Sequence, residues 1–350
     1  MSASRLAISI GCPSGIGPEV SLVAALHALD RGVRCALVGD TAALLRVAQL
    51  RSVPTDRLCP VSDPRACFAS SDRIDVLCPT PPLSFSEMTF GSPSPAGGAA
   101  QLAWIDAATD MVVDHLADAI VTGPVSKEAI SRSGAPGTRD FAGHTEHIAR
   151  RVGCPDPTMI FVSRELCVAL VTTHLALARV PSAISVNGVA TATFRAAELV
   201  SLLGHSPARV VVAALNPHAG EGGMFGSEER DVIAPGVAAA RERARCAGID
   251  AHVDGPIGAE TAFRKAFDGH YDAAVAMYHD QGTIPMKLRC FGSAVNVTAG
   301  MPIVRTSVDH GTGYDIAGSG SADAGSMLEA LELADRLVAA RSARASDACG

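Results

Sequence analysis

Short apolar runs alternate with longer amphipathic ones along the whole chain. Residues 6–10, 35–39, 119–122, 167–172, 210–215 and 273–277 are rich in Val, Ile and Ala and lack polar alternation. That pattern predicts strands buried on both faces. Between them lie stretches with helical spacing. Pro18-Glu19 opens one that reaches about Leu29, with proline and an acid in the first turn. Further helices are expected over residues 99–117, 192–203, 232–247 and 324–341. Alternating strands and helices imply a layered α/β architecture with largely parallel strands. Residues 51–75 and 79–98, richer in Pro and Ser, are expected to be irregular, and 342–350 to fray. No internal repeat or low-complexity linker divides the chain. Any second domain must therefore pack closely or form where the chain crosses over and returns.

Polar residues concentrate where these runs end. Residues 6–10 lead into GCPSGIGPE, 119–122 into GPVSK, 167–172 into Thr173-His174, 210–215 into NPHAGEGG, and 273–277 into YHDQG. Ligands of open α/β sheets bind beyond the carboxyl ends of the strands, so these loops predict a shared active-site cleft. Lys plus Arg number 29 and Asp plus Glu 36, a formal net charge of −7. That balance argues against a general nucleic-acid binder. Aromatic residues make up 4% of the chain, which leaves little stacking surface for a single strand. The 10 cysteines contain no CxxC pair and no secretory signal is evident. They read as reduced, mostly buried thiols. No stretch approaches the roughly 18 uninterrupted apolar residues of a membrane span. The expectation is a soluble, cytoplasmic protein without nucleic-acid or membrane partners.

The loops hold the candidate chemistry. His174, His218 and His279 each follow a strand directly. A single strand-end histidine is more often structural, whereas three in equivalent positions suit a divalent metal with open positions. Their separation in sequence leaves both readings open. His144-Thr145-Glu146-His147 reads as a helix N-terminus, with His144 and Thr145 better suited to substrate than to metal. GCPSGIGPE suits anion contact by backbone N–H groups, or a tight turn; it is neither GxGxxG nor a P-loop. The Gly-rich stretch from Asp309 to Gly320 reads as an ordinary loop or as one that wraps a nucleotide. Lys287, Asn296 and Arg305, with Lys127, stand in mostly uncharged segments and together would hold a phosphate or carboxylate. Any one of them alone would read as surface charge.

Taken together, GCPSGIGPEV, VTGPVSKEAI, FAGHTEHIA, VTTHLAL, LNPHAGEGG, YHDQGTIPMK and NVTAGMPIVRTSVDHGT resemble the 4-hydroxythreonine-4-phosphate dehydrogenase family and its paralogues. The match runs in order over nearly the whole chain. It implies two α/β/α subdomains around a cleft, as in isocitrate and isopropylmalate dehydrogenases, in a homodimer. The first subdomain is expected over 1–125 plus 306–350. The second is expected over 126–305, with the metal and substrate residues and the dimer interface. The resemblance also implies oxidation by NAD (or NADP) with a divalent metal: zinc first, with Mg2+, Mn2+ or Co2+ as alternatives.

In the family the catalytic metal is held at positions matching His174, His218 and His279, the last supplied by the partner subunit. Substrate contacts match His144, Thr145, Lys287, Asn296 and Arg305. The segment containing His310, Gly311, Thr312 and Asp315 looks like the adenine-side nucleotide loop of that fold. Cys12 stands where the family usually carries Asp or Glu, Glu260 where Asp is usual, Gly258 where Pro is common, and Tyr314 where Phe or Leu is. Cys12 and Glu260 are therefore candidate specificity positions.

The leading expectation is oxidation, with decarboxylation, of a small phosphorylated hydroxy acid such as 4-phosphohydroxy-L-threonine, in pyridoxine biosynthesis. D-Threonate or D-erythronate 4-phosphate, or a diene-diol dicarboxylate, is the alternative substrate. A metal-dependent hydrolase without nucleotide also accommodates three histidines with Asp280 and Glu221 nearby, but it leaves the His310 segment unexplained.

Overall fold

The apolar runs do form buried strands. The computed structural model describes residues 3–290 and 292–349, and in it the chain divides into two compact units, residues 1–155 with 301–350 and residues 156–300. The first unit carries β1 (Arg5–Ser9), β2 (Arg34–Val38), β3 (Leu58–Val61), β4 (Ile74–Leu77) and β5 (Ala119–Thr122). The second carries β6 (Thr158–Val162), β7 (Cys167–Leu170), β8 (Ala208–Ala213), β9 (Ala251–Ile257), β10 (Ala273–Ala276) and β11 (Val295–Ala299). The chain then returns to the first unit as β12 (Val304–Val308).

In the first unit the order is β3-β4-β2-β1-β5-β12, parallel throughout. Ser9 pairs with Val38 and Thr122, and Thr122 with Ser307, so the loops after β1, β5 and β12 leave from one edge. The helix Gly17–Asp30 has its first turn tied down by Glu19, which is 1% exposed. Its carboxylate accepts from Arg51 and from the Ala322 N–H. Asp40 and Ser94 cap the helices Thr41–Leu50 and Pro95–Val113 with their side chains.

In the second unit the order is β11-β6-β7-β10-β8-β9. β6 runs antiparallel to both β11 and β7, and the remaining pairs are parallel. Leu170 pairs with Ala276, and Val275 with Val212, so β7, β10 and β8 end side by side. Phe161, Leu166, Val168, Phe263, Tyr271 and Met286 fill part of this unit's core.

Several expectations are corrected. Residues 51–75 were expected to be irregular but contain β3 and β4; Pro60 is tolerated in β3 because that strand is the edge of its unit's sheet. The C-terminal helix runs Gly325–Cys349 rather than fraying after residue 341, and Gly350 lies outside the described residues. The first unit extends to Pro155 and resumes at Met301, rather than breaking at 125 and 306. The helices Lys127–Arg132 and His144–Arg151 pack on helix Pro95–Val113, which keeps them in the first unit.

Candidate active site

In the first unit the site is built around Arg305 on β12, which is 2% exposed. Its guanidinium donates to the Thr122 hydroxyl at 2.8 Å and to the Thr145 hydroxyl at 3.3 Å. Burial lowers its pKa to about 10, so it remains a cation at neutral pH. Thr145 and His144 open the helix His144–Arg151. The His144 Nε2 is buried and meets no hydrogen-bond partner among the described residues. Burial, reinforced by Arg305, His147 and Lys127 around it, holds this imidazole well below its usual range and therefore neutral.

Neighbouring elements fix this helix in place. His147 Nε2 lies 2.6 Å from Asp106, and Arg151 donates to both Asp110 oxygens at 2.7 and 2.6 Å. Both acids belong to helix Pro95–Val113. The same helix places Gln101, which accepts the Ser126 N–H at 2.9 Å and so shapes the GPVSK loop. Lys127 follows, and a Cβ on Gly143 would lie 3.4 Å from its Nζ. A buried cation, a neutral imidazole, a hydroxyl and a second ammonium thus gather at one place. That set is suited to an anionic ligand.

The first loop lies against its neighbours. Gly11 has φ +78° and leaves no room for a Cβ beside the Pro124 carbonyl, which accepts the Cys12 N–H at 2.8 Å. The Thr312 carbonyl accepts the Ile16 N–H at 2.9 Å, joining the Gly-rich C-terminal loop to this one. Cys12 is buried, and its Sγ lies 3.3 Å from the Tyr314 hydroxyl. Burial raises the pKa of the Cys12 thiol and pushes the Tyr314 phenol up to about 12, so both are neutral. In the expected nucleotide segment, His310 Nδ1 lies 2.9 Å from the Gly311 carbonyl, Thr312 makes the contact above, and Gly311 and Asp315 are exposed.

In the second unit the three candidate ligands follow three adjacent parallel strands: His174 after β7, His279 after β10 and His218 after β8. The His174 and His279 rings lie 5.5 Å apart, centroid to centroid, and tilt by 40°. His279 Nδ1 is 2.8 Å from Asp280. His218 begins six consecutive residues with positive φ (53°, 54°, 79°, 43°, 67° and 102°). Each non-glycine residue in that region costs roughly 1–2 kcal/mol, so the surroundings must enforce the turn. Imidazoles at one sheet edge are the donor set of a borderline divalent ion. Among the described residues of one chain, however, no three His, Cys, Asp or Glu side chains are placed to hold one.

Elsewhere in this unit, Lys287 is exposed on helix His279–Cys290, and the Oδ1 of the half-buried Asn296 on β11 meets no partner among the described residues. Glu260 is exposed at the start of helix Ala259–Phe267, against Thr261 and Arg264. The sequence reading missed Thr122 and Asp106. Thr122 ends a run that was called as a strand and lies next to GPVSK, which was a usable signal; Asp106, inside a helix, gave none.

Catalytic α/β enzymes carry their polar groups on strand-end loops, and both units do so. Residues 32–334 match the family described as pyridoxal phosphate biosynthetic protein PdxA. The chain belongs to this family. It is 42% identical over 332 residues to the 4-hydroxythreonine-4-phosphate dehydrogenase of Desulfosudis oleivorans, covering 94% of each chain. The crystal structure of the enzyme of that name from Klebsiella pneumoniae superposes with a TM-score of 0.80 at 34% identity, covering 96% of this chain and 100% of that one. A terephthalate 1,2-cis-dihydrodiol dehydrogenase from Burkholderia xenovorans LB400 gives a TM-score of 0.66 at 30% identity, covering 95% and 98%. No helix among the described residues is long and apolar enough to cross a membrane.

Proposed function

We propose that the protein is an NAD-dependent dehydrogenase that oxidises the secondary alcohol of 4-phosphohydroxy-L-threonine. The observation that carries this reading is the 42% identity, over 94% of both chains, to an enzyme of that name. Nicotinamide, when bound, would accept the hydride; the loop holding His310, Gly311, Thr312 and Asp315 is the proposed seat of the adenine side of the dinucleotide, with NADP as the alternative to NAD. A divalent ion, zinc first, would supply Lewis acidity at the alcohol oxygen, for the oxidation and for the decarboxylation that follows it. His174, His218 and His279 would hold it.

The chain's own residues supply binding and orientation. Arg305 offers a fixed fork to an anionic group of the substrate, and Thr122 holds that fork in plane. Lys127, beside the start of helix His144–Arg151, supplies a second positive charge. Because His144 is neutral, it can offer one nitrogen as donor or acceptor without adding charge. Thr145 shares its hydroxyl between Arg305 and the ligand, and Lys287 and Asn296 complete the substrate contacts.

The site is proposed to need two copies of the chain. Large apolar side chains follow each metal-ligand loop: Leu175 and Leu177 after His174, Met224 and Phe225 after His218, and Ile284 and Leu288 after His279. Met224 is 75% and Leu288 84% exposed, apolar surface that favours cover by a second copy. With no three donors assembled among the described residues of one chain, the third histidine would arrive across that interface, as the family resemblance implies for the His279 position.

The test is NADH formation by the purified protein with 4-phosphohydroxy-L-threonine and each of Zn2+, Mg2+, Mn2+ and Co2+. Turnover with at least one metal is expected; none across the panel would sink the proposal. Cys12 favours a second reading. A neutral thiol in place of the family's acid suits an acid phosphate without an ammonium group, such as D-threonate or D-erythronate 4-phosphate. A higher kcat/KM on those substrates, or on a diene-diol dicarboxylate, would replace the first. The named relatives are dehydrogenases, which removes the support for a hydrolase.

A further inference from the structure

A buried carboxylate behind the His218 turn has no role in the reaction set out above. Glu229 is 6% exposed and opens a π-helical turn, Glu229–Ile233, a local insertion common at functional sites. Its Oε1 accepts the backbone N–H groups of Leu215 at 2.9 Å and Asn216 at 2.7 Å. Its Oε2 accepts from Asn216 Nδ2 at 3.0 Å, and the same amide also donates to Glu228 at 2.8 Å. The carboxylate therefore holds two residues of the loop that follows β8 and leads into Pro217-His218.

It also limits the far side of the turn. Gly220 is the buried residue of the left-handed stretch, with φ +79°. A Cβ there would meet Glu229 Oε2 at 2.8 Å and the Gly226 carbonyl at 3.3 Å. The Phe225 N–H closes the loop on the Gly220 carbonyl at 3.2 Å. One carboxylate thus grips the entry to the turn and sets how closely its centre approaches. Six residues with positive φ in succession persist only when such contacts over-determine them.

We propose that Glu229 is a positioning residue for His218: it fixes the left-handed turn that presents the imidazole. This rests on the reading that His218 is a metal ligand. Outer groups that orient a ligand typically contribute about ten- to hundredfold in metal affinity. Burial opposes the carboxylate charge, but the hydrogen bonds it accepts from Asn216 and Leu215 outweigh that and hold its pKa below the usual range.

The test is a Co2+ titration of the full-length protein in its native assembly, followed by the visible absorption of the bound ion, with circular dichroism and melting of the metal-free protein alongside. The parent protein is expected to bind, and His218→Ala to lose the band. Glu229→Gln, which places an N–H donor against Asn216 Nδ2, is expected to raise the Kd about ten- to hundredfold and shift the band, with the fold retained. Gly220→Ala keeps the carboxylate but blocks its approach, and is expected to act in the same direction. If Glu229→Gln does not fold, Gly220→Ala decides alone. Parent-like affinity and spectrum in a folded variant would overturn the positioning role, even if the metal-free protein melts lower. No Co2+ binding by the parent, or parent-like binding by His218→Ala, would instead overturn the metal reading.

Discussion

Arg305, Thr122 and Thr145 contact one another inside one chain, whereas His174 and His218 stand exposed on loops that also expose Leu177 and Met224. In the first unit the cost of burying a cation has been met during folding, and its hydroxyl partners are fixed before any ligand arrives. In the second unit the sheet delivers three imidazoles to one edge but assembles no three-donor group among the described residues of the single chain. Enclosure within a fold is enough to preorganise an anion contact. A metal centre on exposed loops needs further surface to finish it.

The largest expected effect tests the second half of that contrast. His174→Ala and His279→Ala should each abolish turnover. If the centre is shared across a dimer, co-expressing the two variants should return about a quarter of the parent activity, because half the assemblies then hold one intact site of two. No recovery in confirmed mixed dimers would place the centre within one chain. Next comes Arg305→Met. Truncating one partner of a buried charged contact costs roughly 2–5 kcal/mol, so steady-state kcat/KM should fall by about thirtyfold to several thousandfold. Parent-like kinetics would remove Arg305 from the site.

A smaller effect is expected from Leu288→Asp. Full burial of a leucine contributes about 1.5–3 kcal/mol, so the dimer Kd measured by sedimentation should rise about ten- to hundredfold. An unchanged Kd would show that this face is not the interface. The smallest effect concerns the first unit and acid. His144 takes up a proton near pH 6.5 when unfolded but well below that when folded. Its contribution to stability is therefore complete above that pH. It is lost as pH falls, at up to about 1.4 kcal/mol per unit, until the folded imidazole titrates. Melting scans from about pH 7 to pH 5 should show a shallower acid limb in His144→Asn. An identical limb would mean that His144 is not held neutral.

The α/β class and the strands bearing the site were legible because buried parallel strands are nearly continuous apolar runs. Most of those that escaped notice break that signal: β9 alternates polar residues at an edge, β11 and β12 carry Asn296, Arg305 and Thr306, and β3 contains Pro60; β6, a run of Met, Ile, Phe and Val, carries the signal and was missed all the same. Of the site, the strand-end histidines and His144-Thr145 were visible because polar residues directly after an apolar run have few structural reasons to be there. Thr122, Asp106 and Glu229 were not, since they act through contacts between segments distant in sequence, such as Glu229 with Leu215 and His147 with Asp106. Left-handed backbone at non-glycine residues such as His218 and Ala219 leaves no compositional mark at all.

The order in which the chain is made gives the return of β12 a further consequence. Domains tend to fold as units while synthesis proceeds from the N-terminus. A nascent chain of 300 residues already contains the whole second unit, yet still lacks β12 and the helix Gly325–Cys349 of the first. Arg305 thus emerges after Thr122 and Thr145, the hydroxyls it will join. Until then β5 has an unpaired edge, so the first unit is the part of the newborn protein most exposed to mispairing and the last to become competent for its ligand.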